Sequence, residues 1–398
     1  MPDRASAPTA IDEAAVAALA DQVVEPWWKG APVDAPVALG EIGGRGYRVE
    51  DLSLPALLLR DSALENNIAT MQRWCDQRDV LLAPHAKTSL APQLVERQVG
   101  AGAWAVTAAT PAQLRLWRGL GVERVLYANE LVEPRVLGWV AEELARDEAF
   151  ELYVLADSIE GVHRMDGALT GAPRPVDVLV EIGHEDGRAG CRTLAEAISV
   201  ASAVRTSAHL RLGGVEAFEG LMRDPAGVDR LLERVREAVG AIGDVSLVSA
   251  GGSAWFDRVV GGLGRIGPRL VLRSGCYVTH DAGLYARASP LAGSLENAIE
   301  VWASVLSRPE PQLVIAGAGR RDVSFDSGLP VLVAPCPGEV VALSDQHAHI
   351  RVDAGAAVAP GDLACLHVSH PCTTLDKWRL GYLVDDEGQV TGAVLTFF

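Results

Sequence analysis

Three places in the sequence carry residue types that do chemistry, and a lysine is the most pointed of them. The apolar run Val80–Leu82 leads into Pro84, His85 and Lys87, the pattern of a buried parallel strand surfacing at its C-terminal end. That end of the strands is where α/β barrels hold their reactive groups. A lysine amine desolvated there becomes nucleophilic and forms a Schiff base with an aldehyde. Taken alone, Lys87 reads first as a solvated surface group, as most lysines are. Second, His370 and Cys372 stand at alternate positions. On an extended segment both side chains project from one face, and imidazole with thiolate suits zinc. Two protein ligands leave coordination positions for water and substrate, as a working metal needs. A core cysteine beside a surface histidine is the other reading. Third, Gly251 and Gly252 lie between Ser249 and Ser253, where successive backbone N–H groups can point at phosphate oxygens. Such a pair is also an ordinary tight turn. Two arginines join the candidates: Arg188 within Gly187–Gly190, and Arg273 at the head of Arg273–Tyr277.

These residues need strands to carry them, and the sequence alternates accordingly. Strand patterns at Val80–Leu82, Trp104–Thr107, Arg124–Ala128, Glu151–Ala156, Val176–Ile182, Leu210–Val215, Val245–Ser249 and Leu270–Arg273 are mostly separated by helical periodicity. Helix starts are marked by Thr110–Pro111 and by Thr193 with Glu196. Eight such strands across residues 61–285 predict a parallel (β/α)8 TIM barrel, with an open doubly wound sheet as the alternative. Residues 1–60 read as a loosely packed arm with a helical stretch over Ile11–Val24, followed by a strand, Pro55–Arg60. Residues 286–398 read as a β domain of short β-branched runs between Gly, Pro and Asp.

The 398 residues suffice for one large and one smaller domain, and a 49% hydrophobic fraction supports a sizeable core. A net charge of −17 without a basic stripe argues against nucleic acid and anionic membranes as partners. No stretch reaches the roughly 18 apolar residues of a membrane span. Met1–Ser6 shows no charged region leading into an apolar core, so no signal peptide is expected. The six scattered cysteines predict reduced thiols in a cytoplasm. All but Cys372 read as buried small hydrophobes or inert thiols.

The strings PHAKTSLAP, AGAWAVTAATPAQ, VLYANELV, EIGHEDGRAG, SAGGSAWFD, LRSGCYVTHD and SHPCTTLDKW occur in this order over roughly residues 50–385. Together they resemble the fold-type III pyridoxal phosphate enzymes, the alanine racemase-like barrels. Within these they are most similar to the D-serine dehydratase and D-threonine aldolase branch, nearest the bacterial amino acid deaminase group. The resemblance implies an alanine racemase-like barrel whose C-terminal β domain takes up the strand before residue 60. It implies that Lys87 carries pyridoxal phosphate, that Arg188 approaches the phenolic oxygen of the cofactor, and that Arg273 faces the pyridine nitrogen. It places His85, Gly251, Gly252, Ser253 and Tyr277 around the cofactor, and zinc on His370 and Cys372. A cysteine at the latter position leans toward the dehydratases, since the aldolases typically have aspartate. The implied activity is β-elimination of a D-3-hydroxy amino acid such as D-serine by a homodimer. Retro-aldol cleavage, racemisation and a cofactor carrier are the rivals. The sequence departs from the better-known branches at Ser89–Leu90 and at Phe218, where relatives often carry tyrosine.

Overall fold

A computed structural model describes residues 7–398, so Met1–Ser6, on which the signal-peptide expectation rests, lie outside the described residues. The chain forms two compact units. One comprises the stretch to Asp12, Gln72–Lys87 and Gln98–Gly275; the other comprises Glu13–Met71, Thr88–Arg97 and Cys276–Phe398.

The first unit contains eight parallel strands: β1 (Leu81–Leu82), β2 (Val106–Ala108), β3 (Arg124–Glu130), β4 (Glu151–Ala156), β5 (Val176–Glu181), β6 (Leu210–Glu216), β7 (Leu247–Ser249) and β8 (Arg269–Leu272). Each pairs with its sequence neighbour from β2 to β8, and β8 pairs with β1. The ring closes between β1 and β2. Trp104 N–H donates to Leu82 O at 2.7 Å, Thr107 N–H donates to Pro84 O at 3.0 Å, and His85 bridges to Thr107. The fold is therefore the barrel, not the open sheet. Ala83, Trp104, Leu126, Leu155, Leu179, Leu247 and Val271 form one of its buried clusters, the filled interior that such barrels require.

The helices start where the sequence marks them. Thr110 Oγ1 accepts from Gln113 N–H ahead of Pro111, and Thr193 with Glu196 completes a reciprocal capping box. These caps satisfy N–H groups that the first helical turn cannot. Strand β1 is short because Pro84 lacks the N–H that would continue the ladder. The chain instead enters a 3-10 turn, Ala86–Thr88, that carries Lys87.

The second unit is built on a nine-stranded sheet. The strand Ala56–Arg60 pairs antiparallel with Ile299–Glu310 and parallel with Leu380–Val384, so the β domain does take up the strand before residue 60. Leu313–Ala316 pairs with both Ala348–Arg351 and Ile299–Glu310, which closes six of the strands into a ring. The arm before this strand is not loose. Val24, Ala31, Leu39 and Ile42 are buried in one cluster with Leu58, Leu380 and Tyr382. Nor is Ile11–Val24 one helix: it is a helix Glu13–Ala17, a 3-10 turn Ala18–Asp21 and a short strand Val23–Val24 paired with Val37–Ala38. Single apolar residues spaced through an Ala/Pro/Gly-rich stretch suffice to seat it. Among the described residues no helix is long and apolar enough to cross a membrane.

Candidate active site

The C-terminal ends of the barrel strands surround a cleft of about 700 Å³. It is lined by His85 and Lys87 after β1, Asn129 in β3, Glu181 at the end of β5, Arg188 in the following loop, Glu216 at the end of β6, Gly252 after β7 and Arg273 after β8. Lys87 is exposed to solvent at this mouth. His85 Nδ1 is buried without a hydrogen-bond partner among the described residues. Burial holds the His85 imidazole well below its ordinary pKa, and the nearby charges of Lys87 and Arg273 lower it further. A neutral ring therefore stands next to the lysine.

Arg273 is buried. It donates to Ser249 Oγ at 2.6 Å and to Ala217 O at 3.3 Å, and it pairs with the Glu216 carboxylate. The second Glu216 oxygen has no hydrogen-bond partner among the described residues. Burial pushes the Glu216 carboxyl above its usual range, against the pull of Arg273. Glu181 is also raised, first by burial and then by the Glu216 charge and a hydrogen bond with Glu130. The cleft thus sets two reluctant carboxylates against two arginines. Arg188 lies over the Phe218 ring, 5.1 Å from its centroid. Its loop is pinned from beneath: Arg192 donates to Ala189 O and Gly190 O, both at 2.6 Å, and to Gly187 O at 2.8 Å. Gly190 has φ +95°, and a Cβ there would sit 2.4 Å from Gly183 N, so only glycine fits.

The Gly251–Gly252 turn does hold an anion, but one of the protein's own. Gly251 N–H and Gly252 N–H donate to the two oxygens of Glu219, at 3.0 and 2.6 Å. Glu219 is fully buried, and nothing in the string EAFEG after β6 distinguishes it as a partner of residues 32 and 33 positions away. Gly251 has φ +93°, which reserves the turn for glycine. Ser253 follows it. Tyr277 is buried in the second unit, on the 3-10 turn Cys276–Val278.

The second unit gathers a set of metal donors. The ligand atoms of Cys276, His370 and Cys372 lie within 4.8 Å of one another. Their two sulfurs are 3.3 Å apart. His370 Nδ1 is 2.7 Å from Asp326 Oδ2 and 3.1 Å from Thr373 Oγ1, and the ring also hydrogen-bonds with Cys276. Thr373 Oγ1 also donates to Asp326 at 2.6 Å. One reading of the sequence is corrected here. His370 and Cys372 do not alternate along an extended segment: Pro371 is in the α region (φ −63°, ψ −46°), and Cys372 opens a helical turn, Cys372–Leu375. Cys276 is buried, as the sequence suggests, and its sulfur also meets that of Cys372 across 96 positions of sequence. A second group, Glu300, Cys365 and His367, is similarly close, but its carboxylate is already used by Trp302 Nε1 at 2.8 Å and by His367.

The residues fit the groups that the resemblance implies. Two arginines and a lysine share one cleft with an unpartnered imidazole nitrogen, and a soft donor set has a carboxylate-oriented histidine, whereas the Gly251–Gly252 turn is taken up by Glu219. Residues 60–259 match the alanine racemase N-terminal domain, and residues 298–384 match a serine dehydratase domain. A D-threonine aldolase from Arthrobacter sp. is 28% identical over 328 residues, covering 80% of this chain and 86% of that protein. A D-threo-3-hydroxyaspartate dehydratase from Delftia sp. is 26% identical over 291 residues, 70% of this chain and 74% of the other. A cysteine-to-alanine variant of a D-threo-3-hydroxyaspartate dehydratase, in the metal-free form, superposes with a TM-score of 0.74 at 22% identity, over 88% of this chain and 100% of that one. The crystal structure of D-threonine aldolase from Filomicrobium marinum superposes with a TM-score of 0.79 at 27% identity, over 91% of this chain and 98% of that one. With its barrel, its β domain and both domain matches in sequence order, the chain belongs to the fold-type III pyridoxal phosphate enzymes of the alanine racemase-like fold.

Proposed function

We propose that this chain is a pyridoxal phosphate-dependent, metal-assisted lyase that removes the β-hydroxyl of D-3-hydroxy amino acids, D-serine first, to give a keto acid and ammonia. Lyase chemistry on D-amino acids is common to the named relatives. The observation that carries the choice of elimination is the donor set at Cys276, His370 and Cys372, with sulfur where the resemblance gives the aldolases a carboxylate.

Lys87, Arg188 and the Gly251–Gly252 turn are the residues to hold the cofactor, which when bound supplies an electron sink for the α-carbon. A divalent metal on His370 and Cys372 would supply Lewis acidity toward a hydroxyl leaving group. The remaining work falls to the chain. Lys87 Nζ takes the α-proton, and the neutral His85 next to it spares it a competing positive charge. Arg273 is a fixed cation with no proton to release, because Ser249 and Glu216 hold it and a guanidinium does not titrate. A fixed cation facing the pyridine nitrogen, as the resemblance implies for Arg273, would weaken the sink and make Lewis acidity at His370 and Cys372 matter more. The homodimer rests on the resemblance alone. All six cysteines are free thiols, which suits a cytoplasm.

The test is product analysis over a panel of D- and L-amino acids, with and without chelator, with borohydride trapping of the cofactor. The expected result is keto acid and ammonia from D-serine, abolished by chelation, and a label on the peptide containing Lys87. Glycine and an aldehyde from D-threonine, with no keto acid from D-serine, would move the reading to retro-aldol cleavage, which the similarity to the Arthrobacter aldolase favours. A label on another lysine would sink the assignment of Lys87.

A further inference from the structure

We propose that Cys276 is a third protein ligand, so that the metal sits on a Cys276–His370–Cys372 tripod with one position open. The inference rests on the reading that a divalent metal binds at His370 and Cys372, and it changes what that metal is. A His-x-Cys pair alone leaves two or more positions to solvent. The three donors here converge within 4.8 Å. Two sulfurs bound to a tetrahedral zinc at about 2.3 Å stand roughly 3.8 Å apart. The observed separation of 3.3 Å therefore needs only a small opening of the two side chains, well within their rotamer freedom.

Three further features hold the tripod. Cys276 is buried and begins the turn that follows β8, where His280 N–H returns to Cys276 O at 2.8 Å, so its backbone is fixed. Thr88 Oγ1 lies 3.8 Å from Cys276 Sγ and 3.6 Å from Cys372 Sγ. One hydroxyl thus faces both sulfurs, and it belongs to the residue bonded to Lys87. Asp326 takes His370 Nδ1, the carboxylate–histidine arrangement that orients metal ligands, and the ring meets Cys276. Three donors are one short of a closed tetrahedral set, so a fourth position remains for water or a substrate hydroxyl, as in catalytic zinc sites with two cysteines and one histidine.

The chemical consequence is selectivity. Two thiolates and an imidazole are a soft set that favours zinc over magnesium or manganese. Two thiolates also cancel the double charge of the ion, which moderates its pull on the leaving oxygen while making it harder to strip away.

The experiment reads coordination on the purified, cofactor-loaded full-length chain. Zinc-edge X-ray absorption of the unaltered protein is expected to give two sulfur scatterers. Substitution of cobalt(II) for zinc should give a sulfur-to-cobalt charge-transfer band that roughly halves in Cys276→Ser and in Cys372→Ser and vanishes in the double variant. Zinc affinity, measured by chelator competition, should fall at least about 100-fold in Cys276→Ser. A single sulfur scatterer in the unaltered protein overturns the proposal whether or not the variants fold, as does a charge-transfer band unchanged in Cys276→Ser, or the absence of bound metal. Two sulfurs on a protein that fails to eliminate water from D-serine would uphold the ligand and refute the proposed reaction, so the two readings fail separately.

Discussion

Removing Glu216 from the Arg273 ion pair should cost far more than removing the pair altogether. Both partners are buried, with 1% of Glu216 and 5% of Arg273 exposed. Charge centres roughly 4 Å apart at an effective dielectric of about 20 attract by about 4 kcal/mol. The Glu216 carboxyl is nonetheless raised, first by burial and also by the Glu130 and Glu219 charges, and for a buried pair the desolvation cost commonly exceeds the mutual attraction. In Glu216→Ala the guanidinium keeps its bonds to Ser249 and Ala217 but loses its counter-charge, and it cannot shed its proton. The expected loss is about 3 kcal/mol, at the lower end of what breaking a buried pair costs, and it should shrink from pH 5 to pH 8, because only the unaltered protein carries the raised Glu216 carboxyl that loses stability over that range.

Arg273→Met behaves differently because Glu216 can take up a proton. A carboxyl raised in the folded state is protonated there while the unfolded chain has already ionised. Folding stability therefore falls as pH rises from the unfolded value near 4.5 toward the folded one. Without Arg273 that window widens, so Arg273→Met should lose little at pH 5 and progressively more toward pH 8. Glu216→Leu with Arg273→Met should return to within about 1 kcal/mol of the unaltered protein, or exceed it. Urea unfolding of the cofactor-free chain, followed by tryptophan fluorescence at the two pH values, measures all three. A double variant less stable than Glu216→Ala, or an Arg273→Met loss that is flat with pH, would refute the account of the pair as a net cost held in the cleft.

Two other outcomes follow from the geometry. If the Gly251–Gly252 turn takes the cofactor phosphate, Glu219 must first give up two charge-assisted bonds. Glu219→Ala should then tighten pyridoxal phosphate binding by about tenfold or more, read by absorbance titration, whereas unchanged or weaker binding would place the phosphate elsewhere. Asp326→Asn removes the carboxylate that orients His370 and should weaken zinc by about 10–100-fold while leaving the number of sulfur ligands unchanged, measured by chelator competition and by the cobalt band.

What could be read from the sequence was local, and what could not was closed by distance. Lys87 stood out because its cues lie within eight residues: an apolar run, a proline that ends the ladder, then the lysine. Thr110, Thr193 and Glu196 were legible for the same reason, since a cap is written within one helical turn. His370 and Cys372 were close enough to suggest a shared metal, yet the reason given for it was wrong: a helical turn brings them together, where strand alternation was expected. Cys276 looked like any small apolar filler. Its meaning lies in a contact with Cys372 that only the folded second unit creates. Glu219 likewise became visible only when β6 and β7 lay side by side and two glycine N–H groups needed an acceptor. The same holds for Glu181 and Glu216, which as strand-end carboxylates in sequence suggest solvent. Parallel pairing of β5 with β6 aligns them at one rung of the barrel, and there the Glu216 charge raises the cost of ionising Glu181. A single sequence thus names candidate residues by their neighbours in the chain. The groups that tune them are set by which strand ends share a rung, and no spacing rule along the chain carries that information.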